Sequence, residues 1–236
     1  MMQDSHSHFA NPAAIESYAR DVPLRVPGLH DLHRMTMLLL AEEASETAHI
    51  LVVGAGGGME TKSLAEAQPG WRFVGVDPSP AMLNLARQTV MPFADRVDLL
   101  EGTVDRAPDG PFDGATCLLT LHHMNRSEQM HTLRGIHRRL RPGARLVIAN
   151  HSAPGPDPDC WMTRTAAFAL RDRPDWAKAA AAAKTIGQRL TLLTPPEEED
   201  MLREVGFVNI GLFYAAFSFR GWVATANNGN ETPTQG

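Results

Sequence analysis

The stretch HILVVGAGGGMETKSLA, His49 to Ala65, decides the fold. An unbroken apolar run reaches three glycines at alternate positions, Gly54, Gly56 and Gly58, and the chain then turns amphipathic. An apolar run of this length suits a strand buried on both faces, and the amphipathic segment suits a helix packed on that sheet. Gly54 permits the turn that leaves the strand, while Gly56 and Gly58 let a ligand approach the backbone closely. The helix beginning near Met59 offers free N–H groups and the positive end of its dipole. The dinucleotide fingerprint wants its third glycine where this chain has Met59, so the spacing argues against the pyrophosphate loop of a dehydrogenase.

Outward from this loop the pattern alternates strand and helix. WRFVGVD is a second strand, and SPAMLNLARQTV a helix with Ser79 as N-cap and Pro80 at its first position. RVDLLEG is a third strand, PFDGATCLLTL a fourth, SEQMHTLRGIHRRL a helix ending before Arg141, and ARLVIAN a fifth strand. Residues 151–194 depart from the rhythm, with HSAPGPDPD and two helical stretches that include WAKAAAAAK. TPPEEEDMLREVGF is a capped helix, and VNIGLFYAAFSFRGWVATA is long enough for an antiparallel strand pair meeting near Ala215 to Phe217. Upstream, about Ala13 to Ala44 reads as helical, broken at Pro23 and again at Val26 to Gly28.

The expected architecture is therefore α/β: a Rossmann-like, doubly wound seven-stranded sheet with the last strand antiparallel. Residues 1–45 form an N-terminal helical segment and 46–225 the sheet domain. Insertion 151–194 and the N-terminal helices are expected to form a lid, and 226–236 a disordered tail. The 236 residues are 43% hydrophobic with a formal charge of −5, which suits one domain and argues against a large nucleic-acid footprint. Cys117 and Cys160 are too few and too far apart for a disulfide framework or zinc motif, so the expected compartment is a reducing cytoplasm. No targeting or membrane-spanning segment stands out.

The second strand narrows the cofactor. Asp77 stands at its C-terminal edge, where an acid accepts both ribose hydroxyls of an adenosine. The following P-S-x-x-M run starts a helix at once and puts Met82 near the adenine. G-x-G-x-G and D-x-S-x-x-M in register resemble the class I S-adenosylmethionine (SAM)-dependent methyltransferases. EGTV (101–104), FDGATCLLTLHHM (112–124) and LRPGARLVIA (140–149) resemble further motifs of that family, over roughly His49 to Ala224 without the insertion. Its flanks are most similar to the carboxy-SAM synthases of tRNA wobble-uridine modification, through VPGLHDL near Val26 and LFYAAFSFRGWVA at Leu212, Phe217, Phe219, Val223 and Ala224.

The resemblance implies SAM as cofactor, with S-adenosylhomocysteine (SAH) as product, and carries cofactor contacts onto Gly54, Ala55, Gly56, Asp77, Pro78, Thr103 and Val104. Gly58, Met82 and Leu118 complete the expected pocket. The departures bear on activity. The branch's VPGY tyrosine falls on Leu29, its fourth-strand asparagine on Leu118, and the arginine that grips the product's extra carboxylate on Thr185. Arg189 substitutes only with a register shift. A carboxylate without a fixed cation loses a charge-assisted partner.

The expected activity is thus in-line methyl transfer from SAM to a small-molecule acceptor. The alternatives are a carboxy-SAM synthase-like enzyme and a non-catalytic cofactor-binding protein. A homodimer is implied by the resemblance alone; direct nucleic-acid binding and membrane association are not expected. Methyl transfer needs positioning above all, and a general base only for a nucleophile of high pKa. His122 and His123, after the fourth strand, are the catalytic candidates; each reads equally as pocket wall, as does His151. His30 and His33 share a helix face without a completing acid or Cys, so no metal site is expected. Trp161, Phe168 and Trp176 read either as a substrate lid or as the insertion's own core. Arg164 and Arg171, one heptad apart, read as an anion site or a solvated face. EEED, Glu197 to Asp200, reads as a solvated helix start that favours the dipole.

Overall fold

A computed structural model describes residues 12–171 and 173–227. The histidines at 6 and 8 and nearly all of the C-terminal tail lie outside the described residues. Helices α1 (Pro12–Arg25) and α2 (Leu29–Ala41) precede β1 (His49–Val53), α3 (Met59–Ala67), β2 (Arg72–Asp77), α4 (Pro80–Thr89) and β3 (Val97–Glu101). There follow β4 (Phe112–Leu118), α5 (Arg126–His137), β5 (Leu140–His151), α6 (Pro158–Ala169), α7 (Trp176–Gly187), α8 (Pro195–Val205), β6 (Phe207–Ala216) and β7 (Phe219–Ala226).

The seven strands form one sheet in the order β3-β2-β1-β4-β5-β7-β6. β1 to β5 pair in parallel, and β7 enters antiparallel between β5 and β6. The order reverses beside β1, where doubly wound sheets open a crevice outside the strands' C-terminal ends. Alternation along β1 sends Ile50 and Val52 into one core and Leu51 and Val53 into the other. The first core is closed by Leu32 and Leu40 of α2 and Leu64 of α3, the second by Leu133 and Ile136 of α5 and Leu202 of α8. This two-sided burial is why the strands read as continuous apolar runs.

Two expectations need correction. Pro23 does not break α1, which runs through it to Arg25. Pro23 lacks the amide for one helical hydrogen bond, and the helix ends two residues later. The break falls at Gly28, whose φ of 64° sets the turn into α2. α2 packs on α3, β4 and β5. Gly114 of β4 leaves room for Leu40 there, since a Cβ would stand 2.9 Å from Leu40 Cδ2. Second, β5 starts at Leu140 rather than Ala144, and its register with β4 slips between Phe112 and Gly114.

The insertion is a helical pair with its own core of Met162, Ala166, Ala167, Ala179 and Ala183. Small side chains let α6 and α7 approach closely, so the alanine run packs as well as favouring helix. α1 packs on both α6 and α4. No helix among the described residues is long and apolar enough to cross a membrane.

Leu40 is fully buried. Leu40→Ala is expected to cost about 2–5 kcal/mol in urea unfolding, the range for truncating a packed core leucine. A loss under about 1 kcal/mol, the size expected of surface changes, would mean that α2 is only loosely attached to the sheet.

Candidate functional site

The glycine loop is stitched to the end of β2 by three successive amides. Gly54 N and Ala55 N donate to Val76 O at 2.9 and 3.0 Å. Gly56 N donates to Asp77 Oδ2 at 2.9 Å. The other carboxylate oxygen, Oδ1, accepts the Ser79 amide at 2.9 Å, and Asp77 O accepts the Gly102 amide at 3.0 Å. One aspartate therefore joins the loops that follow β1, β2 and β3.

Glycine is required in this loop for three distinct reasons. Gly54 has φ 78°, and a Cβ there would stand 2.1 Å from Thr120 Oγ1. Thr120, from the loop after β4, thus occupies the side-chain space of Gly54. Gly56 has φ 50°, which aims its amide at Asp77. Gly58 has φ 79°, and its Cβ would stand 3.0 Å from the backbone of Ala86. The close approach at Gly58 comes from α4, not from the ligand side as the spacing suggested. Its absent side chain lets α3 and α4 pack.

The remaining expected cofactor residues divide. Ser79 Oγ accepts the Met82 amide at 3.3 Å, which buries Met82 in the first turn of α4 just past Asp77. Pro78 lies exposed between them. Leu118 ends β4 in the same core cluster as Ala55. Thr103 is exposed beside Gly102, its hydroxyl 3.3 Å from Asp105 Oδ2. Val104 instead belongs to the core, wedged where Gly135 of α5 lacks a Cβ.

Past β4 the backbone enters a rare conformation. Leu119 has φ 56°, and its amide donates to Ala149 O at 2.6 Å. A branched residue held left-handed is strained, and such strain collects where a site needs a fixed turn. The turn presents Thr120 to the glycine loop and His122 and His123 to the end of β5. The rings of His122 and His123 lie 4.4 Å apart, and those of His122 and His151 5.0 Å apart.

These histidines differ in what they can do. His122 Nδ1 accepts the His151 amide at 3.1 Å, so that nitrogen is unprotonated and its lone pair is taken. Burial, with the neighbouring histidine charges, holds His122 well below the ordinary imidazole range, although the nearby Asn150 side chain opposes this. His151 stacks on Phe219 at 4.0 Å, and its Nδ1 lies 2.8 Å from Ser218 Oγ. Burial pushes its pKa down to about 3. His123 is the half-buried member of the cluster. Among the described residues no group of histidine, cysteine and acidic side chains could hold a metal.

Behind the histidines lies a buried polar chamber that the sequence reading missed. A cavity of about 10 Å³, enough for one water, is bordered by His122, Gln129, Asn150, His151, Thr191 and Glu198. Glu198 Oε2 accepts from Trp222 Nε1 at 3.0 Å. Burial raises the Glu198 pKa to about 8, against the pull of the Trp222 and Ser152 hydrogen bonds and of Arg220. The solvated reading of EEED holds for neighbours such as Glu197, which closes a capping box with Thr194. Glu198 instead shares the buried face with Met201 and Leu202, at spacings of three and four that were legible in principle. A second buried acid, Glu60, lies at the start of α3 beneath the loop, its pKa raised by burial to about 7.

Comparison with known proteins agrees with this geometry. Residues 51–146 match the family model of a methyltransferase domain. The ubiquinone biosynthesis O-methyltransferase of Pseudomonas paraeruginosa is 27% identical over 153 residues, 63% of this chain and 64% of that protein. The demethylmenaquinone methyltransferase of Lactiplantibacillus plantarum is 38% identical over 115 residues, 47% of this chain and 48% of that protein. This chain therefore spans less than two thirds of either relative's length. The solved structure of human N-acetylserotonin methyltransferase in complex with SAM superposes with a TM-score of 0.62 at 14% identity, covering 96% of this chain and 61% of that one. The fold is the class I methyltransferase fold. In that fold the Gly54–Asp77 junction lies at the C-terminal edge of the sheet, beside the point where strand order reverses.

Glu198 makes the site's stability depend on pH with a definite sign. Its folded pKa, about 8, lies above the ordinary 4.5, so the fold prefers the neutral acid. Stability is fully present below pH 4.5 and is lost as pH rises towards 8. Glu198→Gln keeps an acceptor for Trp222 and removes the titration. Urea midpoints of the variant are expected to gain on the wild type steadily from pH 5 to pH 8; parallel curves would mean that Glu198 is ionised in the fold.

Proposed function

We propose that this chain is a SAM-dependent methyltransferase that transfers the methyl group in line to a small-molecule acceptor. The observation that carries the reading is Asp77, held by the Gly56 and Ser79 amides with its carboxylate between the loops that follow β1 and β2. In this reading Asp77 accepts the ribose hydroxyls. The Gly54–Gly56 backbone lies against the methionine end, Met82 and Thr103 border the adenine, and Leu118 with Thr120 separates cofactor from acceptor. A bound sulfonium supplies an electrophilic methyl group and a neutral leaving sulfide. The chain's own contribution is to hold the acceptor atom in line, behind the methyl carbon, and to exclude water.

Proton handling falls to His123 in this proposal. His122 has its Nδ1 lone pair committed to the His151 amide, which leaves it a wall and an anchor for the turn. His123, half-buried beside it, is the imidazole that an acceptor hydroxyl would meet. The relatives named above act on quinone precursors and on N-acetylserotonin by their names, which supports a small planar acceptor. The carboxylated-cofactor alternative is disfavoured because Thr185 spends its hydroxyl on Ala181 O, 3.0 Å away within its own helix.

Calorimetric titration with SAM tests the pocket. Asp77→Ala is expected to weaken binding about tenfold or more, the value of a charge-assisted contact. Because Asp77 also holds two amides, circular dichroism of the variant must stay native for the loss to count. Equal affinity in a folded variant would overturn the assignment. With methyl-labelled SAM and a panel of phenols and carboxylic acids, His123→Ala should lower kcat about 100-fold on hydroxyl acceptors, with SAM affinity intact. An unchanged kcat would remove His123 from proton transfer.

A further inference from the structure

The insertion and the tip of the β6–β7 hairpin enclose a cleft of about 350 Å³ lined by Arg164, Phe168, Arg171, Pro174, Trp176 and Phe217. That volume falls within the range of small-molecule sites. Arg164 lies on α6 and Arg171 just past its end, where a φ of 60° turns the chain, and both line this cleft. Neither guanidinium hangs loose. Arg164 lies over Trp161 at 4.4 Å and Arg171 over Phe168 at 4.9 Å, and Arg171 also donates to Pro23 O at 3.3 Å.

Stacking orders a guanidinium and leaves donors at its edge, the geometry that meets a carboxylate with two parallel hydrogen bonds. Apolar surface stands beside this charge. Phe168 and Phe217 lie 6.0 Å apart with their rings tilted by 50°, and Trp176 is 58% exposed on the rim. The cleft thus gathers apolar surface beside two ordered guanidinium groups. It suits a flat ring with an acidic group. The chain carries a net charge of −5, so an anion gains nothing from the overall field and depends on this local pair.

The cleft also stands near the strand ends that bear the histidines. Phe217 precedes Ser218, whose Oγ lies 2.8 Å from His151 Nδ1 and 2.7 Å from Thr165 Oγ1 of α6. Hairpin tip, insertion helix and the end of β5 thus meet at one junction. We propose that this cleft is an acceptor subsite for a planar aromatic carboxylate, its ring against Phe168, Phe217 and Trp176 and its carboxylate on Arg164 and Arg171. As an acceptor subsite it rests on the methyl-transfer reading; as a binding site it stands apart from it.

The test uses the full chain, with and without saturating SAH, titrated with 1-naphthoate and with its neutral analogue 1-naphthamide by NMR. Naphthoate is expected to bind saturably and at least about tenfold more tightly than the amide, the worth of one charge-assisted contact. Arg164→Gln and Trp176→Ala, both at accessible positions, should each weaken naphthoate about fivefold or more while circular dichroism and SAH affinity stay unchanged. Equal binding of acid and amide, no saturable binding, or indifference to both variants would overturn the proposal. Failure of SAH to bind the wild type, with naphthoate still held by Arg164 and Trp176, would instead overturn the methyl-transfer reading and leave the anionic aromatic site in place.

Discussion

The site depends on the grip of one buried carboxylate on neighbouring amides. Asp77 accepts from Gly56 and Ser79 through its side chain and from Gly102 through its carbonyl. These bonds do more than close turns. They set the height of three loops against one another at the edge of the sheet. A partly desolvated carboxylate needs such donors, and the amides at the strand ends need acceptors, so each resolves the other's cost. The glycines follow from this arrangement, because side chains at positions 54 and 56 would disturb the turn that delivers the amides.

The opposite wall is built on different physics. Around β4 and β5 the backbone is held in a rare conformation at Leu119, and burial holds His122 and His151 well below the ordinary imidazole range. These imidazoles and an acid that prefers its proton line the small cavity, with the Arg220 guanidinium of β7 near enough to act on Glu198.

How much of this was legible in sequence varied with the kind of force involved. Which segments are strands and which are helices followed from apolar periodicity and capping residues; Ser79 and Thr194 accept the amides their positions imply. That Gly54 and Asp77 stand at one edge of the sheet was legible because each marks the C-terminal end of one of two successive strands, which pair in parallel. What escaped was decided by packing between distant segments. Gly58 serves Ala86 of α4, Val104 fills space beside Gly135, and Glu198 is buried although three acids surround it in the sequence. Periodicity tells which face a residue takes, not what stands across from it. Likewise, the unusual turn at Leu119 leaves no mark in composition.

The insertion's self-contained core has a consequence for divergence. α6 and α7 pack chiefly on each other through alanines and Met162, and meet the sheet at the Thr165–Ser218 hydrogen bond. Changes on the cleft side of this pair need not disturb the strands or the Asp77 junction. A lineage could therefore exchange one set of cleft side chains for another while inheriting the sheet unaltered. The chemistry of the cleft is thus free to drift while the Asp77 junction is kept.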